Sequence, residues 1–148
     1  MRITSIDIIG YGKWSDAHFN NIANFQVFYG ENEAGKSTIM AFIHSILFGF
    51  PTKQQSIPRM EPKNGGPYGG RLTLEDTPLG KVIIERLKGK ATGDVRIYYG
   101  DGQTAGEENY QKLSVKLIET LMRLFFHLIY TDYKIFINGK RKNLNAIC

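Results

Sequence analysis

Eight residues, Gly30–Ser37, read GENEAGKS: two glycines five positions apart, with a lysine and then a hydroxyl directly after the second. This is the pattern G-x-x-x-x-G-K-[ST], the Walker A loop or P-loop. Its chemistry is phosphate binding, because backbone N–H groups that converge on oxygens at the positive end of a helix tolerate little side-chain bulk at the turns. Gly30 and Gly35 meet that need. Lys36 is expected to reach the β- and γ-phosphates, the Ser37 hydroxyl to sit on Mg²⁺, and the amides from Asn32 to Thr38 to cradle the α- and β-phosphates. The expected ATP-binding residues are therefore Gly30, Glu31, Asn32, Glu33, Ala34, Gly35, Lys36, Ser37 and Thr38, with Ser37 as the metal ligand.

Such a loop needs a strand before it and a helix after it. Phe25, Val27 and Tyr29 alternate among β-forming residues, which predicts a strand entering at Gly30. Beyond the loop, Ile39, Phe42, Ile43, Ile46, Leu47 and Phe50 fall at helical spacing and predict one apolar stripe. Gly49 and Pro51 supply the stop.

The string GENEAGKST, preceded by MRITSIDIIGYGKW and followed by a helix ending in LFGFP, resembles the start of the bacterial YhaN-like AAA-domain proteins, within the wider SMC and RecF-like ATPases of the ABC type. Glu33 and Ala34 are the residues most specific to this branch, where many SMC heads carry Gly and Ser. The resemblance covers about Met1 to Leu113. It implies an α/β fold, a P-loop NTPase N-terminal lobe of an ABC-type head with an antiparallel β subdomain. It also implies a basic residue near the nucleotide just after the first strand, for which Lys13 is the nearest candidate, displaced by one position from the usual G-F-K order. Read without the family, Lys13 is a solvated loop lysine.

Arg2 to Ile9 alternates around Ile3, Ile6 and Ile8 and predicts a strand beside the P-loop strand, broken by Gly10, Tyr11 and Gly12. Ser15 to Asn24 is polar. Trp14 and Phe19 read as packing residues rather than a base-stacking platform. Pro51 to Gly70 is dense in breakers and predicts a loop, with Lys53, Arg59 and Lys63 available to phosphate or simply exposed. Arg71 to Asp76, Lys81 to Leu87 and Asp94 to Tyr99 predict an antiparallel meander. Neither Leu72–Asp76 nor Val82–Glu85 has the order of acids that a Walker B strand requires, and both read as ordinary strands. Glu107 to Leu113 suits a short helix.

The charge of the whole chain, +5, is unevenly spread. Residues 1 to 113 hold 13 Lys and Arg against 12 Asp and Glu; residues 114 to 148 hold 6 against 2. The basic character lies in the tail, so it says little about the loop's ligand. With one cysteine, Cys148, there is no internal disulfide and no cysteine zinc site, and His18, His44 and His127 lack ligand spacing. No secretory signal opens the chain, and the expected location is cytoplasmic, with no membrane partner.

In the tail, Ile118 to Ile129 fits a helical stripe and Tyr133 to Gly139 a hairpin. The family character nonetheless stops at Leu113, and a codon spelling of residues 114 to 148 read one nucleotide out of register gives a family-like continuation. The expectation is a P-loop lobe over residues 1–113 and a divergent, frame-shifted tail over 114–148. The resemblance further implies a Q-loop, a signature sequence, a Walker B pair and a switch histidine, none recognisable here. In the family these lie in a second lobe, and ATP is sandwiched between two heads that serve DNA repair and genome maintenance. The expected function is thus ATP binding with little hydrolysis, with a second ATPase head and DNA as family partners, and homodimerisation only if the second lobe is supplied. Two readings compete. A small P-loop kinase would need an Arg-rich lid, against which the β-rich stretch argues; a non-catalytic module would use the basic tail on nucleic acid.

Overall fold

Alternation of Ile6 and Ile8 with Ser5 and Asp7 gives β1 (Arg2–Tyr11) one buried face and one part-exposed face. The strand runs through Gly10 and Tyr11, two residues past the expected break, and turns at Gly12-Lys13, where Gly12 takes φ 58°. A glycine first in a two-residue connection is what a tight hairpin favours. The polar stretch that follows is a strand, β2 (Trp14–Asn20), paired antiparallel with β1 from Tyr11↔Trp14 to Ser5↔Asn20. Its polarity reflects its place at the sheet edge.

The expected strand over Phe25–Tyr29 is absent. Among the described residues there is no strand between Asn20 and α1, and Phe25, Val27 and Tyr29 are 83%, 61% and 99% exposed. An alternating segment becomes a strand only where it pairs along another strand's edge, and among the described residues Phe25–Tyr29 pairs with none. Consequently β1 has β2 and β3 as neighbours, and no P-loop strand beside it.

Helix α1 (Lys36–Phe48) buries Ile39, Phe42, Ile43, Ile46 and Leu47 on one side, at the spacing the sequence predicts. Gly49 ends it at φ 101° with its N–H on the Ser45 carbonyl. Next come β3 (Gly69–Thr77), β4 (Gly80–Leu87), β5 (Asp94–Tyr99) and the short β6 (Thr104–Ala105). The sheet is antiparallel throughout, in the order β2-β1-β3-β4-β5-β6. The meander is as expected. The loop before it is shorter than expected, since Gly69 and Gly70 pair with Gly10 and Ile8 of β1.

Register sorts the two faces. Ile6, Leu72, Ile84 and Ile97 are successive cross-strand partners, each at most 1% exposed, on the face against which α1 lies. Burying each such side chain contributes about 1.5–3 kcal/mol. The other face carries the row His18, Asp7, Arg71, Glu85 and Arg96, again successive partners and alternating in sign. Opposite charges directly across a sheet stabilise the pairing that aligns them. The structure describes residues 1–31, 34–52, 59–63, 65–107 and 110 of a computed structural model, which form one unit over Met1–Tyr110. The helical stripe expected over 118–129, the hairpin expected over 133–139 and the rest of the tail over 111–148 lie outside the described residues.

Candidate functional site: the Gly30–Thr38 loop

Gly35 takes φ 97°, a left-handed conformation that a Cβ would strain, and it is the residue from which α1 springs. Its carbonyl accepts the first helical hydrogen bond, from the Ile39 N–H at 3.1 Å. Among the described residues no side chain caps this end, and no acidic residue lies in the first turn. The first-turn amides and the positive end of the helix dipole are therefore not neutralised by the helix's own side chains.

Lys36 folds back over the loop it follows. Its Nζ donates to the Gly30 carbonyl at 2.6 Å and the Glu31 carbonyl at 2.8 Å, tying the start of the loop to its end. The Ala34 N–H closes a turn on the Glu31 carbonyl at 3.1 Å. Ser37 is exposed on the first turn of α1, and Thr38 is part-buried behind it. Asn32 and Glu33 lie outside the described residues. The structure thus brings together Gly30, Glu31, Ala34, Gly35, Lys36, Ser37 and Thr38. Among the described residues there is no cluster of three or more His, Cys, Asp or Glu able to hold a metal.

Lys13 is brought to the loop. It sits at the β1–β2 turn, and a Cβ on Gly35 would meet its Cε at 3.0 Å and the Trp14 Nε1 at 2.7 Å. The turn is seated on α1, since Gly12 lies against the Thr38 methyl, and it is tied to the following segment by the Gly12 N–H to Met60 carbonyl bond of 2.8 Å. Trp14 is half-buried, donates from Nε1 to the Gly35 carbonyl at 3.3 Å, and has Lys13 over its ring at 5.8 Å. Lys13 is where the resemblance implies a basic residue; for the Trp14 contact the sequence offered no signal, because it depends on a hairpin the polar β2 conceals. Arg59 is engaged elsewhere: its Nε pairs with Glu61 at 3.0 Å and its guanidinium covers the Tyr68 ring. Lys53 lies outside the described residues.

The two acidic strands stay away from the loop. Glu85 is on the face opposite α1, its carboxylate bound by Arg71 Nε at 2.5 Å and the Tyr98 hydroxyl at 3.1 Å. Asp76, next to last in β3 and at φ 54°, pairs with Arg2 at 3.2 Å. Both agree with ordinary strands. The far end of α1 is closed by Arg86, 3% exposed, whose Nε donates to the Ile46 carbonyl at 3.0 Å and whose Nη1 reaches the Thr92 and Gly93 carbonyls at 3.3 and 3.4 Å. The Tyr110 hydroxyl donates to the Leu47 carbonyl. A cation here complements the negative end of the dipole and fixes the helix axis that aims the loop.

No helix among the described residues is long and apolar enough to cross a membrane. A family profile described as an AAA domain matches residues 1–92, ending short of Leu113. The chain is 50% identical over 92 residues to the uncharacterized protein YhaN of Bacillus subtilis (strain 168), which is 62% of this chain and 9% of that relative's length. No solved structure matches. With the profile covering more than half of its residues and half of the aligned positions identical to YhaN, the chain belongs to the YhaN-like AAA-domain family.

Proposed function

We propose that the Gly30–Thr38 loop binds ATP with Mg²⁺, as the P-loop of the N-terminal lobe of an ABC-type ATPase. The observation that carries this reading is the closed loop, with Lys36 Nζ on the Gly30 and Glu31 carbonyls at the uncapped end of α1. An ammonium held on two carbonyls at the mouth of a helix N-terminus is set for phosphate oxygens, which are at once its counter-charge and the helix cap. The fit extends to Gly35, whose positive φ and close approach to Trp14 and Lys13 exclude a side chain. Lys36 then holds the β- and γ-phosphates, the amides up to Thr38 hold the α- and β-phosphates, and Lys13 adds a second cation from the hairpin. Ser37 would hold Mg²⁺, which supplies charge neutralisation on the phosphate oxygens.

Hydrolysis by this chain is slow in the same reading. Phosphoryl transfer needs a water-orienting acid, and Glu85 and Asp76 are committed to Arg71, Tyr98 and Arg2 away from the loop. A role in DNA repair, a second ATPase head as partner, and a cytoplasmic location belong to this proposal through the family. The test is titration of a fluorescent ATP analogue with and without Mg²⁺, alongside phosphate release. Saturable, Mg²⁺-assisted binding that unlabelled ATP competes away, with phosphate release equal to a Lys36→Ala control, is expected. No saturable binding would refute the first half, and robust Lys36-dependent turnover the second.

A further inference from the structure

Two observations join the β1–β2 hairpin to both ends of the loop. At its end, the Trp14 indole N–H is bonded to the Gly35 carbonyl. At its start, Phe28, two residues before Gly30, packs edge-to-face on Phe19 with ring centres 5.8 Å apart, and Phe19 packs in the same way on Trp14 at 5.7 Å. Trp14 and Phe19 lie on the same strand, so one rigid hairpin braces the loop at both sides.

The consequence follows from the peptide plane. The Gly35 carbonyl and the Lys36 N–H belong to one peptide unit, which is planar and trans, so the N–H points opposite to the C=O. The carbonyl is held from two directions, by Ile39 N–H and by Trp14 Nε1. Gly35, lacking a Cβ and sitting at positive φ, puts no side-chain restraint of its own on that plane. Without the indole, the carbonyl keeps only its helical bond.

We infer that Trp14 is a positioning residue for the phosphate site: its indole N–H, braced by Phe19 and Phe28, fixes the Gly35–Lys36 peptide plane so that the Lys36 amide faces the anion. The inference rests on the nucleotide reading above and deepens it. It assigns Trp14 to the phosphates, not to the base.

The experiment is calorimetric titration of the whole chain with ATP, ADP and inorganic tripolyphosphate, each with Mg²⁺, for the wild type, Trp14→Phe and Trp14→His. Loss of one neutral hydrogen bond corresponds to about a five- to tenfold weakening. Trp14→Phe is expected to weaken all three ligands by that same factor at little changed melting temperature, and Trp14→His, which keeps an aromatic N–H donor, to recover part of it. Weakening for ATP and ADP but not tripolyphosphate would assign Trp14 to the base and overturn the inference, as would unchanged affinities in Trp14→Phe. A wild type that binds none of the three would overturn the nucleotide reading and the inference together. Should Trp14→Phe fail to fold, Trp14→His and the wild type's single-tryptophan fluorescence carry the test. No change in that emission as tripolyphosphate saturates the wild type would contradict an indole bonded at the phosphate loop.

Discussion

Truncating Arg86 to alanine should destabilise the domain severely while leaving the P-loop's own contacts in place. The guanidinium is 3% exposed and serves three carbonyls, Ile46, Thr92 and Gly93, on two different segments. The bond to Ile46, at 3.0 Å, is the well-formed one; those at 3.3 and 3.4 Å share Nη1 and are weaker. A hydrogen bond from a charged donor contributes about 1.5–3 kcal/mol, and a buried carbonyl left unpaired costs about 1–3 kcal/mol. These overlap, since the donor's loss is what orphans the carbonyls, so the sum is about 3–4 kcal/mol. Against a total of about 5–15 kcal/mol for a domain, that is a large fraction. Urea unfolding read by far-UV dichroism should show the midpoint falling with the slope unchanged. Arg86→Lys should recover less than half, because one ammonium cannot reach both segments with a planar fork's geometry. An Arg86→Ala midpoint shift worth under about 0.5 kcal/mol, the size of an ordinary surface substitution, would refute the reasoning.

Two further perturbations follow from the same geometry. His18 has Nδ1 2.9 Å from Asp7 and Nε2 3.1 Å from Asp16; carboxylates only accept, so both bonds require the imidazolium, and they raise its pKa. Its stabilisation is complete below the unfolded value near about 6.5 and fades as pH rises through the folded value, whereas His44, lowered by burial, stabilises above about 6.5 and fades on acidification. His18→Asn should therefore flatten the alkaline side of a melting-temperature profile and spare the acid side; an unchanged alkaline slope would count against the bridge. The exposed Phe25, Val27 and Tyr29 should bind an apolar dye such as ANS, and replacing all three with threonine should abolish that signal without lowering the melting temperature. Dye binding that survives the triple variant would place the exposed apolar surface elsewhere.

Local signals carried α1, the meander and the loop pattern. The helix was legible because its stripe and its stop are both local, and the meander because β3, β4 and β5 alternate with turn residues between them. Two errors share one cause, the non-local nature of sheets. Phe25 to Tyr29 has the right alternation but pairs with no strand among the described residues, while β2 pairs with β1 despite an unpromising sequence. Trp14 and Phe19 read as packing residues, and they do pack; what composition could not reveal is that they pack against Phe28 and reach Gly35, on the two sides of the loop. Lys13, a candidate through the family resemblance and a solvated lysine without it, is laid along Gly35 by the hairpin turn.

The most direct measurement is calorimetric titration of the wild type and Lys36→Ala with Mg²⁺-ATP. Lys36 joins the two ends of the loop and supplies a charge-assisted contact, so its loss should weaken binding by at least about tenfold and by up to about a hundredfold, with the thermal unfolding of the variant still cooperative. Equal affinity in a folded Lys36→Ala protein would contradict the assignment of Gly30–Thr38 as the nucleotide site.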